Sequence, residues 1–157
     1  MHPHAELITR FYTAFQQRDA ATMATCYHRD LTFQDEAFGP FGYDDTVAMW
    51  TMLCARGKDL ALTFRDVAAD DTTGRAHWEA RYTFSQTGRH VHNRIDASFR
   101  FQDGLIVAHR DHFDFWRWSR QALGAPGMLL GWSPWLRGQV QQKAMKSLRV
   151  FQKKAAG

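Results

Sequence analysis

The sequence predicts an α+β protein: helices first, then a curled antiparallel sheet, then one further helix. Three observations carry this. Apolar residues recur at helical spacing through the first third of the chain, and from residue 60 onward the period changes to two. The breaks between the alternating stretches are also short turn signals, which make neighbouring strands antiparallel.

Residues 5–17 form the first helix, because Leu7, Ile8, Phe11 and Phe15 share one face. Asp19 caps a short second helix through Met23, Cys26 and Tyr27. The run "DLTFQD" at 30–35 alternates Leu31 and Phe33 with polar residues, as a strand does. After the Gly-Pro-Phe-Gly loop at 39–42, Asp44 or Asp45 opens a third helix bearing Val47, Trp50, Leu53 and Cys54, and Gly57 ends it. Strands follow at 60–69, 75–85, 90–102 and 105–117, separated by Asp71-Thr72-Thr73-Gly74, Thr87-Gly88 and Asp103-Gly104. Ser119 to Leu123 reads as a helical turn stopped by Gly124 and Pro126. Ser133-Pro134 then starts a last helix to about 153, with Leu136, Val140, Ala144, Leu148 and Phe151 on one face.

At 157 residues the chain is expected to be one domain with a real core. Aromatic residues reach 14%, with 12 Phe and 6 Trp, so the domain is either densely packed or encloses an aromatic-lined cavity. A mean hydropathy of -0.47 and the lack of a long apolar run argue against a membrane span. The start MHPHAELITR does not read as a signal peptide, and Cys26 and Cys54 sit in apolar helical patterns; together these favour the cytoplasm. The net charge of +4 is unevenly placed: residues from 125 onward carry six basic and no acidic residues, against 14 basic and 16 acidic before them. That tail lacks the aromatic interleaving of a single-strand binder, so no nucleic-acid partner is expected.

The stretch "IVAHRDHFDFW" (106–116) raises a chemical question. It reads as a strand, and its parity puts His109 and Asp111 on the side of Phe113 and Phe115. A carboxylate and an imidazole among rings mean either a pocket or two buried polar groups that satisfy each other.

Two segments, "LITRFYTAFQQRDAATMATCYHRDLTFQDEAFG" (7–39) and "RIDASFRFQDGLIVAHRDHFDFWRW" (94–118), resemble the SnoaL-like, nuclear transport factor 2-like superfamily. Ketosteroid isomerases and limonene epoxide hydrolases are relatives. The resemblance covers about residues 4–124, which sets a SnoaL-like domain at 1–124 and a basic helical extension at 125–157. It implies a curved sheet wrapped into an apolar cone, closed by the N-terminal helices, with subunits pairing through the sheet as a homodimer.

Carried over by position, the isomerase's general-base aspartate falls on Asp35. Its oxyanion tyrosine falls on Phe11, with Tyr12 beside it, and its oxyanion acid on Ala97, with Asp96 one off. A one-residue offset in a strand reverses the face, so that oxyanion hole is not reproduced. The epoxide hydrolase's water-binding aspartate falls on Asp111 in "RDHFD", while its Arg-x-Asp pair falls on Trp78 and Ala80.

The same alignment sends Trp78, Ala80, Tyr82, Phe84, Val91, Asn93, Ile95, Ala97 and Phe99 toward the cone. His77, Glu79, Arg81, His92, Arg94 and Asp96 point outward, joined on the last strand by Arg110, His112, Asp114 and Trp116. The expected site is therefore Asp35, His109 and Asp111 as acid/base groups. Trp50, Trp78, Tyr82, Asn93, Phe99 and Phe113 would hold a small apolar or aromatic molecule. A non-catalytic ligand-binding or accessory role is the alternative. No HExxH or CxxC spacing occurs and no third ligand joins His109 and Asp111, so neither metal nor other cofactor is expected.

Overall fold

The computed structural model describes residues 1–156. Helix α1 (Pro3–Gln16) starts with a proline in its first turn and buries Leu7, Ile8, Phe11, Tyr12 and Phe15. Helix α2 (Ala20–Thr25) is capped by Asp19, whose Oδ1 accepts the Thr22 N–H at 3.1 Å. Then follow strand β1 (Tyr27–Gln34), helix α3 (Tyr43–Arg56) and strands β2 (Ala61–Ala69), β3 (Thr73–Phe84), β4 (Arg89–Gln102) and β5 (Leu105–His112). Helices α4 (Phe115–Leu123), α5 (Ala125–Leu130) and α6 (Pro134–Ala156) complete the chain.

The sheet order is β1-β5-β4-β3-β2. Strands β2 to β5 form the antiparallel meander that their turn signals require, and β1 adds to β5 in parallel. Register shifts at Arg65/Ala68 in β2 and at Val107 in β5, opposite Arg100 and Phe101 of β4, mark bulges, which bend strands and increase twist. The curved sheet stays open, and α1 and α3 pack their apolar faces into its concave side. At Gly74 a Cβ would meet the tips of Phe101 and Ile8 at 2.8 and 2.9 Å, so glycine spares both side chains a shift where α1 packs on β3.

Four expectations need correction. Strand β5 ends at His112 rather than near 117, because the Asp114 carboxylate caps a helix by accepting the Arg117 N–H at 3.0 Å. Phe113 and Phe115 therefore leave the strand, although their alternation with polar residues imitates one. For the same reason Asp114 and Trp116 do not lie on the outer sheet face; the Trp116 indole N–H donates to the Met128 carbonyl at 2.9 Å. Tyr27 opens β1 instead of closing α2. Finally, Pro126 starts α5 rather than simply stopping α4, since proline is well tolerated in a first helical turn.

Helix α6 lies along α3 with Leu136 and Leu148 buried. Arg149 pairs with Asp45 at 2.8 Å and Arg137 with Glu36 at 3.2 Å. On the outer sheet face, Glu79 accepts from His77 at 2.8 Å and His92 at 2.6 Å, and these two bonds hold its carboxyl down at about 2.

Candidate functional site

His109 and Asp111 are two residues apart on β5, so both point into the concave side. Phe99 on β4 and Phe33 on β1 flank His109, while Ala97 lies opposite Asp111 and leaves it room. The rings of Phe11, Phe33, Phe99 and Trp50 surround the imidazole at centroid distances of 5.7, 5.0, 4.5 and 6.3 Å. Both side chains are sealed from solvent, at 0% and 2% exposure.

Buried polar groups in such a setting must find partners. His109 Nε2 lies 2.9 Å from Asp111 Oδ1, and His109 Nδ1 lies 2.8 Å from the Tyr27 hydroxyl. The Trp50 indole donates to the Tyr27 oxygen at 2.9 Å, and the Trp78 indole donates to Asp111 Oδ1 at 3.3 Å. Trp50 has only a donor, so Tyr27 turns its proton to Nδ1, and the Nε2–H faces the carboxylate. In that arrangement each of the four contacts has one donor and one acceptor. Burial drives the Tyr27 hydroxyl pKa well up; the Trp50 bond opposes that, and the Asp111 charge adds to it.

Two groups nearby are not so satisfied. The Tyr12 hydroxyl is fully buried and has no partner among the described residues. Its ring stacks on Phe64 at 5.5 Å and meets Trp78 at 5.9 Å; burial first and the Asp111 charge second push its pKa well up. Asp35 follows directly on β1 and is half-buried. Its Oδ1 accepts the N–H groups of Ala37 at 2.7 Å and Phe38 at 2.6 Å, the turn an aspartate makes at a strand end. Oδ2 takes no donor among the described residues. Burial nevertheless pushes the carboxyl up to about 7; the two amides oppose this, and the Asp111 charge reinforces it. At neutral pH, Asp35 can therefore both accept and return a proton.

Of the residues expected to hold a ligand, Trp50, Trp78 and Phe99 gather around His109 and Asp111 in one aromatic cluster. Tyr82 and Phe113 lie where this cluster meets a second one built on Val91, Phe115 and Trp118. The Tyr82 hydroxyl accepts from the Trp118 indole at 2.9 Å; burial raises it to about 12, and Asp35's charge pushes the same way. Asn93 pairs across from Ala80 on β3, beyond the last β4–β5 pair, Asp96 with His112. It is half-buried and bonds neither His109 nor Asp111.

Tyr12 and Tyr27 were not among the expected site residues. Their signal was a wide aromatic face on α1, which includes both Phe11 and Tyr12, and the parity Tyr27 shares with Leu31 and Phe33. Asp96, the other near match to the isomerase, sits outside and bonds His77 at 2.9 Å, as its parity required.

Helices closing an open, curved sheet around buried carboxylates and rings define a SnoaL-like architecture. The chain belongs to that family: residues 8–109 match the SnoaL-like domain. Solved structures agree on the fold. An epoxide hydrolase of the limonene epoxide hydrolase type from M. tuberculosis superposes with a TM-score of 0.62 at 18% identity, covering 81% of this chain and 92% of its own. The polyketide cyclase candidate IdmH from Streptomyces antibioticus gives 0.64 at 22%, covering 80% and 100%. A protein with a ketosteroid isomerase-like fold from Catenulispora acidiphila, solved with trimethylamine, gives 0.66 at 15%, covering 82% and 98%. No curated protein matches the chain.

Proposed function

We propose that the cone takes up a small apolar or aromatic molecule and moves a proton on it, in an isomerisation, cyclisation or hydration of the kind SnoaL-like folds host. The observation that carries this reading is Asp35, a carboxyl raised to about 7 beside a buried, charged Asp111. Carboxyls in unlike environments are how one site divides acid and base work at neutral pH. Asp35 is the exchanging group. Burial keeps Asp35 basic and the charge of Asp111, held by His109 and Trp78, adds to it, while the unpartnered Tyr12 hydroxyl is the buried donor left for a developing oxyanion. Trp50, Trp78, Tyr82, Phe99 and Phe113 supply aromatic wall, and Asn93 a donor toward the α4 end.

One observation favours a second reading, a binding or accessory protein: the Tyr27–His109–Asp111 chain is already complete without a ligand. In either reading the protein acts as a cytoplasmic homodimer joined through the outer sheet face, with residues 125–157 appended to the domain. Titration with planar aromatic ketones, followed by quenching of Trp50 and Trp78 emission, tests the pocket. Saturable quenching lost in a Phe99→Asp variant that still folds is the expected result. Quenching that never saturates would sink both readings.

A further inference from the structure

The N-terminal end of α6 and the helix before it expose what soluble domains usually cover. Leu129, Trp132 and Trp135 are 65%, 74% and 62% exposed, with Met128 and Leu130 beside them. These side chains do not hang from a loose loop. A Cβ at Gly127 or Gly131 would collide with Ser119, so α5 is seated tightly on α4. The Trp116 indole and the Ser119 hydroxyl bond the carbonyls of Met128 and Gly127. The apolar tips are therefore held outward by a rigid base.

On α6, Arg137 and Arg149 are paired with Glu36 and Asp45 of the body. Lys143, Lys146 and Lys153 are exposed, with no acidic partner among the described residues. At 3.6 residues per turn they fall with Trp135 within about 100° of arc, centred opposite the buried Leu148 and bordered by the buried Leu136 on one side and the paired Arg149 on the other. No acidic residue occurs anywhere from 125 to the end.

Tryptophans and leucines at one end of a lysine stripe, held by packed helices, match one kind of surface. We infer that this face docks on an anionic membrane: the apolar tips enter the headgroup boundary and the three lysines lie along acidic headgroups. Among the described residues no helix is long and apolar enough to cross a membrane, and the contact inferred is with its surface. A second copy of the chain suits the face less well, because a two-fold contact centred on Trp132 and Trp135 would cover the apolar tips and leave the lysines without partners. A nucleic acid would leave Met128, Leu129 and Leu130 unused. The inference does not depend on what the cone holds.

Co-sedimentation of the full chain with vesicles tests it. Vesicles of equal parts phosphatidylglycerol and phosphatidylcholine should carry the protein down and shift tryptophan emission to the blue, and added salt should release it. Phosphatidylcholine alone should not bind it. Changing Lys143, Lys146 and Lys153 to glutamine should weaken partitioning about a hundredfold, at roughly fivefold per lysine. Changing Trp132 and Trp135 to serine should abolish the emission shift, with circular dichroism confirming the fold of each variant. Equal binding to both vesicle types, or none to either, overturns the inference without recourse to any variant. So does a tryptophan variant that turns a dimer into a monomer while the wild type ignores vesicles, which would assign the face to a second copy.

Discussion

Asparagine at position 35 keeps the shape of the side chain and its acceptor for the Ala37 and Phe38 amides, and removes only the titration. An unfolded aspartate ionises at about 3.9, whereas burial raises folded Asp35 to about 7. A raised carboxyl means that the folded chain keeps a proton the unfolded chain has lost. Its contribution to stability is full below about pH 4 and is lost as pH rises through about 7. Three units at 1.36 kcal/mol each set a ceiling of about 4 kcal/mol. Solvent reaching the half-buried carboxyl brings this to roughly 2–4 kcal/mol.

Asp35→Asn should therefore match the wild type at about pH 4 and exceed its stability at about pH 8 by that amount. At about 2–4 °C per kcal/mol for a domain of this size, the difference in Tm is roughly 4–16 °C. Scanning calorimetry of both proteins across the range measures it. A Tm difference that does not change with pH would refute the raised carboxyl, and with it the reason for choosing Asp35 as the proton carrier.

Tyr27→Phe leaves the Trp50 indole and His109 Nδ1 without their shared partner, at about 1–3 kcal/mol for each group; urea denaturation should show the sum, and an unchanged midpoint would mean that water or a neighbour replaces the hydroxyl. Asp111→Asn loses a charge-assisted acceptor for His109 and Trp78 and should cost roughly 1.5–3 kcal/mol. It should also lower the Asp35 pKa, because a negative neighbour is gone, and carboxyl NMR would read that shift directly. On the outer face, the His77–Glu79–His92 group should be covered in a dimer, so light scattering at micromolar concentration should give twice the chain mass; a monomer mass would remove the sheet-paired assembly.

Much of the architecture was legible because its signals are local. Helical spacing in α1, the Asp19 cap and the turns at Thr87-Gly88 and Asp103-Gly104 each act within a few residues and appear where the pattern put them, whereas Thr73 and Gly74, read as turn, already belong to β3. Strand parity then carried His109, Asp111, Trp78 and Phe99 to one face. What could not be read depends on distant partners or on competing local signals. The parallel pairing of β1 with β5 joins segments separated by most of the chain. At "HFDFW" the strand pattern and the Asp114 cap compete, and the cap wins because it satisfies an N–H that no neighbouring strand would. Tyr27 could not be placed because its hydroxyl matters only through Trp50 on α3 and His109 on β5. Asp35 was placed by resemblance alone; its raised carboxyl follows from burial, which no local pattern encodes.

The central claim is that Asp35 moves a proton on a small molecule held in the cone. The direct measurement is deuterium uptake from heavy water into a panel of small aromatic ketones and diketones, followed by mass spectrometry. Wild-type protein should accelerate exchange at the carbon beside a carbonyl, with a rate that rises as Asp35 ionises around its pKa of about 7. Asp35→Asn should abolish the acceleration while still binding the same ketones. Acceleration that survives in Asp35→Asn, or binding without any exchange in the wild type, would contradict the claim.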